Sequence, residues 1–200
     1  MKLVEQLNQA LFLLINADAT PNPLMLTFAK IMAALPMWLI PGILILGWLR
    51  GDSNIRKMFF ASAITALFAL LVNQMIGFLW QHPRPFMMGI GHTLIPHVAD
   101  SSFPSDHMTL ICGVAFGLLV QPTVRRIGSI LFLLSIPVAW ARIYLGVHFP
   151  LDMLGALLVT SMCALVVNWK RAIVVEPAFK LILFTYEWIF APFIRKGWLR

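Results

Sequence analysis

The sequence predicts an all-α membrane protein: a polytopic helical bundle of about five transmembrane helices, six at most, with interfacial helices beside them. Three observations carry that prediction. Of the 200 residues, 60% are hydrophobic and only 12% charged, with a mean hydropathy of +0.85, whereas a soluble domain carries about a quarter charged residues. Apolar runs recur at lengths able to cross a hydrocarbon core, which takes about 20 helical residues. The basic residues flank those runs instead of forming one polar stripe, so the net charge of +7 reads as membrane orientation and argues against nucleic acid as a partner.

Residues 1–17 place Leu3, Leu7, Ala10, Leu11 and Leu14 on one helical face, with Glu5, Gln6, Asn8 and Gln9 elsewhere. That pattern is too polar for a span and predicts a helix lying in the interface. Asp18-Ala-Thr-Pro-Asn-Pro ends it. A first span runs from Leu24 to Leu49 with expected kinks at Pro36 and Pro41, and a second covers about Met58 to Trp80. Residues 81–104 form a long polar loop. The third span opens near Ser105 and stops at Gln121-Pro122, the fourth runs from Ile127 to Tyr144, and the fifth from Leu151 to Trp169. The run from Ala172 to Ile194 is long enough to cross. Glu176, Pro177, Lys180 and Glu187 interrupt it, however, and Trp188, Trp198 and Arg195-Lys196 suit a membrane surface, which predicts a second interfacial helix in preference to a sixth span.

This arrangement puts Arg50, Arg56, Lys57, Arg125, Arg126, Lys170 and Arg171 on one side, which the positive-inside rule assigns to the cytoplasm. All five histidines, with Arg84, Arg142, Asp100, Asp106 and Asp152, fall at or near the other, outward side, where the amino terminus also lies. No repeat or linker divides residues 1–200, so a single domain is expected. No cleavable leader is expected either, since a strong basic region and a small-residue cleavage site are lacking. Cys112 and Cys163 sit inside apolar runs without ligand or pairing spacing and read as small buried hydrophobes.

Three outward clusters carry chemistry. In His82-Pro-Arg84-Pro-Phe86, prolines stiffen the backbone around a guanidinium; the bland alternative is a headgroup anchor. In Ser101-Ser-Phe-Pro-Ser105-Asp106-His107, a helix start offers an anion site with a hydroxyl donor and an imidazole, against an ordinary capped helix. In Arg142-x5-His148-x3-Asp152, the carboxylate falls one helical turn beyond the histidine and can reach an imidazole nitrogen. The alternative there is an Arg142–Asp152 salt bridge locking two helix ends. Three such clusters on one face of one membrane make separate bland explanations improbable, and a histidine held by an acid beside arginines suggests phosphate chemistry.

Arg84-Pro85, Pro104-Ser105-x-His107 and Arg142-x5-His148-x3-Asp152 together resemble, in order, the three-part signature of the type-2 phosphatidic acid phosphatase (PAP2) superfamily. Within it, His82-Pro-Arg-Pro-Phe86, Thr93-Leu-Ile-Pro-His97 and Ser102-Phe-Pro-Ser-Asp-His107 are most similar to the bacitracin-resistance group of undecaprenyl-diphosphate phosphatases, a likeness that extends to Ile194-Arg-Lys-Gly-Trp198. The chain departs from the superfamily pattern at Gly77, where a lysine is usual, at Asp106 in place of glycine, and at Ala141 in place of serine. Lys30, early in the first span on the outer side, is the candidate for the missing cation; its alternative role is snorkelling to headgroups.

The resemblance implies hydrolysis of undecaprenyl diphosphate through a phosphohistidine on His148. Asp152 would orient His148, and His107 would serve as acid and then base. Arg84, Arg142, Ser105, Asp106 and Lys30 would stand around the phosphates. No metal and no cofactor is expected, because two arginines would repel a cation and no His-x3-His pair is present. Trp80, Phe86 and Trp140 are candidates to line the approach of an isoprenoid tail, or simply an aromatic belt. The expected partners are a polyprenyl diphosphate lipid and the bilayer, in a bacterial inner membrane, with recycling of the cell-wall carrier lipid and bacitracin resistance as the outcome. Rival activities are a phosphatase of phosphatidylglycerophosphate or diacylglycerol diphosphate, a lipid phosphotransferase, and, outside enzymes, a lipid transporter or flippase.

Overall fold

The computed structural model describes residues 2–196; Trp198 and its neighbours at the carboxyl end lie outside them. Seven helices follow one another: α1 (Lys2–Ile15), α2 (Pro23–Arg50), α3 (Ser53–Leu79), α4 (Asp106–Leu119), α5 (Arg125–Tyr144), α6 (Pro150–Trp169) and α7 (Arg171–Arg195). Short 3-10 turns at Pro85–Met88 and Pro122–Val124 lie between them, and no strand occurs among the described residues.

Local chemistry sets the helix starts. Asn22 accepts from the N–H groups of Leu24 and Met25 at 2.9 and 3.3 Å, with Pro23 supplying a pre-set φ, so α2 begins there. Asp52 accepts from the Ile55 N–H at 2.8 Å and starts α3 five residues before the expected Met58. The α2 helix continues through both Pro36 and Pro41.

Helices α2, α3, α5 and α6 are long and apolar enough to cross a membrane. The expected third span is shorter than the sequence suggested: α4 has 14 residues, below the roughly 20 that a span takes. It is nevertheless the centre of the bundle, with Ile111, Cys112, Val114, Ala115 and Leu118 fully buried. Side chains in a lipid medium gain little from burial as such, so close backbone approach matters more. A Cβ on Gly113 would lie 2.7 Å from the Ala66 Cα, and one on Gly117 would lie 2.6 Å from the Ser62 Cα. These two glycines, one turn apart, let α4 seat directly on α3.

The two flanking helices take the positions expected of interfacial elements. Leu3, Leu7, Leu11 and Leu14 of α1 point outward, while Asn8 and Phe12 are buried. Phe12 packs edge-on against Phe149 at 5.2 Å, and Asn8 accepts from the Leu151 N–H at 3.0 Å. At the opposite end, α7 lies across the turn between α2 and α3: Phe179 and Tyr186 pack on Trp48, Tyr186 lies under the Arg56 guanidinium, and Glu176 pairs with Lys57 at 3.1 Å. The basic clusters therefore occupy one end of the bundle and the histidine-bearing loops the other.

Candidate active site

The linker between α5 and α6 is the base of the site. Leu145 and Gly146 turn the chain at the end of α5, with Gly146 at φ 79° and so close to the His92 carbonyl that a Cβ would collide with it. Leu94 N–H donates to the Leu145 carbonyl at 3.1 Å, which ties the long 80–105 loop to this turn. His148 follows, 1% exposed.

Asp152, in the first turn of α6, reaches back as its spacing predicted. Its Oδ2 faces Nδ1 of His148 at 3.1 Å, accepts from the Phe149 N–H at 2.8 Å and accepts the Ser102 hydroxyl. Nη1 of Arg84 lies beside both ring nitrogens, 3.0 Å from Nε2 and 3.5 Å from Nδ1. A carboxylate only accepts, so Asp152 selects one tautomer: proton on Nδ1, lone pair on Nε2. Burial, then the guanidiniums of Arg142 and Arg84, hold the imidazole pKa well below its usual 6.5, which keeps that lone pair free at neutral pH.

Arg84 is fixed by its remaining donors. It donates through Nε to Asp100 at 2.8 Å, through Nη1 to the Val147 carbonyl at 2.9 Å, and through Nη2 to the Ser101 carbonyl at 3.1 Å. The alternative reading of Arg84 as a headgroup anchor does not fit a side chain so buried and multiply held. Arg142 differs. It is 3% exposed, yet its Nε and Nη2 have no partner among the described residues, and no salt bridge joins it to Asp152. A buried cation with open donors is a costly arrangement that an anion relieves.

Ser105 is buried at the threshold of α4, its N–H bound to the Asp152 carbonyl at 3.2 Å and its Oγ unpartnered among the described residues. His107 follows in the first turn of α4 and, with Arg142 and Lys30, lines a cavity of about 520 Å³. The structure thus gathers Arg84, Ser105, Arg142, His107, His148 and Asp152 around one end of the bundle, with Lys30 at its α2 side.

Asp106, expected among the phosphate contacts, turns its carboxylate to α3, accepting from Asn73 at 3.0 Å and Gln74 at 3.1 Å, and lines a separate cavity of about 590 Å³. Gly77 lines that same cavity, and a Cβ there would sit 3.3 Å from the Ser101 Cβ, so this flank has little room for a lysine stem. The three aromatic candidates for a tail approach are spread out: Trp80 packs on Phe103 at 5.1 Å, Phe86 tilts toward His97, and Trp140 stacks on Tyr144 at 4.7 Å and lies 5.9 Å from Phe28 of α2.

Sequence reasoning passed over three residues. Ser102, fully buried, bridges Asp152 and the edge of His148, with its Oγ 3.4 Å from Nδ1. Asp100 holds Arg84. His97 places its ring 6.1 Å from that of His148, with Nδ1 3.0 Å from the Val98 carbonyl. Burial leads the effects on the His97 pKa, which lies below 6.5, aided by the Arg84 and Arg142 charges and opposed by the Val98 contact and Asp100. Their only signal was membership of the outward loop, since no spacing rule links a loop residue to a helix start fifty positions later.

An imidazole oriented by a carboxylate, beside two guanidiniums and a second histidine, is an arrangement that can carry phosphoryl transfer in a helical membrane bundle. The PAP2 superfamily profile matches residues 57–173, and the chain belongs to that superfamily. Over 198 residues it is 37% identical to the provisionally named undecaprenyl-diphosphatase YbjG of Escherichia coli (strain K12), covering 99% of this chain and 100% of YbjG. Over 154 residues it is 34% identical to the undecaprenyl-diphosphatase BcrC of Bacillus subtilis (strain 168), covering 77% and 78% of the two chains. Among solved structures, the first transmembrane PAP2 type phosphatidylglycerolphosphate phosphatase from Bacillus subtilis shares the fold with a TM-score of 0.64, at 20% identity, over 88% of this chain and 90% of that one.

Proposed function

We propose that this protein hydrolyses undecaprenyl diphosphate to the monophosphate at the outer face of a bacterial inner membrane, through a phosphohistidine on His148. The turnover would return the carrier lipid to cell-wall synthesis and oppose bacitracin. The observation that carries the mechanism is the contact of His148 Nδ1 with Asp152, which puts the ring proton there and leaves the lone pair on Nε2.

Nε2 attacks the terminal phosphorus, and the bond from phosphorus to the bridging oxygen breaks. Asp152 stabilises the imidazolium-like charge that develops on the ring. Arg84, Arg142 and the Ser105 hydroxyl donate to the equatorial oxygens, whose charge grows in the transition state. Protonated His107 gives its proton to the bridging oxygen of the departing lipid monophosphate. Neutral His107 then takes a proton from water as that water attacks the phosphohistidine, releasing phosphate and restoring His148. Lys30 lines the α2 side of the cavity that His107 and Arg142 share. The basic residues gathered at the other end of the bundle support an outward-facing site.

The test is brief reaction of purified protein with lipid diphosphate labelled in its terminal phosphate, against a panel that includes phosphatidylglycerophosphate and diacylglycerol diphosphate. Acid-labile label on His148, absent in His148→Ala, together with phosphate release favouring undecaprenyl diphosphate, is the expected result. A clear preference for a glycerolipid overturns the substrate assignment, and uptake of lipid without phosphate release overturns the enzyme.

A further inference from the structure

Two cavities flank the site, and their charges differ in sign. The one toward α3 carries the carboxylates of Asp100 and Asp106, which repel a phosphate. The one toward α2 is headed by Lys30, His107 and Arg142 and walled by Ala34, Met37 and Trp38. Met37 and Trp38 are 52% and 81% exposed, on the surface of a helix that faces lipid, so this groove opens sideways between α2 and the α4–α5 side of the bundle. Lys30 makes no ion pair among the described residues, and the buried Arg142 has two nitrogens without partners. A cationic head above an apolar wall is complementary to one kind of molecule, an anionic amphiphile lying in the bilayer with its phosphate at the level of Lys30.

Resting on the phosphatase reading above, we infer that this groove holds the leaving half of the substrate: the isoprenoid tail along Ala34, Met37 and Trp38, and the phosphate retained by the lipid between Lys30 and Arg142. Placement of His107 in the same groove fixes the direction. The group that protonates the bridging oxygen must stand on the side from which the lipid monophosphate departs, and His107 lines this cavity and not the other. Lys30 then touches the phosphate that is not transferred. It is a specificity residue for diphosphates over monophosphates, not a duplicate of Arg84. A lipid monophosphate presents its single phosphorus to His148 and leaves Lys30 without a ligand.

The experiment compares Lys30→Met, Lys30→Arg and wild type on farnesyl diphosphate and farnesyl monophosphate in detergent. Lys30 is exposed, so its replacement leaves the packing of the bundle intact. Lys30→Met should lower kcat/KM for the diphosphate by about 10- to 100-fold, as expected for loss of one charge-assisted contact. It should leave the monophosphate rate within twofold, and Lys30→Arg should restore most of the loss. A second variant, Ala34→Trp, fills the groove; it should slow undecaprenyl diphosphate at least tenfold while sparing isopentenyl diphosphate, which has almost no tail. Equal loss of diphosphate and monophosphate turnover in Lys30→Met, or no loss of either, overturns the subsite. Unchanged turnover of the long lipid in Ala34→Trp overturns the groove as its path. Failure of wild type to release phosphate from any of these compounds would instead refute the phosphatase reading itself, so the two outcomes are separable.

Discussion

Arg84 and His148, 64 positions apart in sequence, meet with Nη1 3.0 Å from Nε2, while the same Nη1 donates to the backbone carbonyl of Val147 at 2.9 Å. The guanidinium therefore stands beside the ring nitrogens and is anchored to the residue just before His148. In the proposed mechanism, an incoming phosphate oxygen would find a donor already placed beside the nucleophile.

Arg84→Lys keeps the charge and loses the fork. A lysine cannot satisfy Asp100, Val147 and Ser101 together from one nitrogen in this geometry. The expected loss is about 10²- to 10³-fold in kcat, in line with removal of one preorganised transition-state donor. Steady-state kinetics of the purified variant, with its thermal melt as a check on folding, measure it; a loss under fivefold contradicts the role given to Arg84.

Ser102→Ala removes the hydroxyl that donates to Asp152 beside the ring of His148. Asp152 Oδ1 already lacks a partner among the described residues, so the carboxylate becomes less well held. A bond to a charged group is worth about 1.5–3 kcal/mol, which corresponds to roughly a 10- to 100-fold fall in kcat. KM should change little, since Ser102 faces Asp152 rather than the lipid groove.

The pH dependence has a definite sign. His148 must be neutral to attack, and its pKa lies well below 6.5, so activity should persist as pH falls through 6.5 and be lost only well below it. A kcat/KM profile measured on free enzyme checks this acid limb, and a limb centred at or above 6.5 contradicts the burial of a neutral His148.

Gly146→Ala tests the turn that presents His148. The positive φ is strained for alanine, and its Cβ would meet the His92 carbonyl, a backbone atom that cannot swing away. Strain of this kind costs about 1–3 kcal/mol before the clash is counted. A lowered melting temperature in detergent, with activity falling alongside, is the expected result.

How much of this was legible in the sequence depended on range. The His148–Asp152 contact needs only a helix start and a spacing of four, and the helix periods and basic flanks located every span to within a few residues. The Arg84–His148 contact came only from the ordered motif, since nothing local ties a proline-flanked loop to a linker beyond two helices. The grouping of Lys30 with His107 and Arg142 depends on how α2 packs against α4 and α5, and residue spacing does not encode that. The direction of the Asp106 side chain was not legible for a related reason: it follows Asn73 and Gln74 on another helix, and the motif position alone does not reveal which way it turns.

The brevity of α4 has an energetic consequence. Its 14 residues rise about 21 Å against a hydrocarbon thickness near 30 Å, so α4 by itself falls about 9 Å short of a crossing. Drawing a polyprenyl chain out into water costs about 0.8 kcal/mol for each methylene exposed. In the proposed reaction, a site at the start of so short a helix would spare the substrate that extraction: the headgroup would descend to Ser105 and His107 while the tail stayed in the oil.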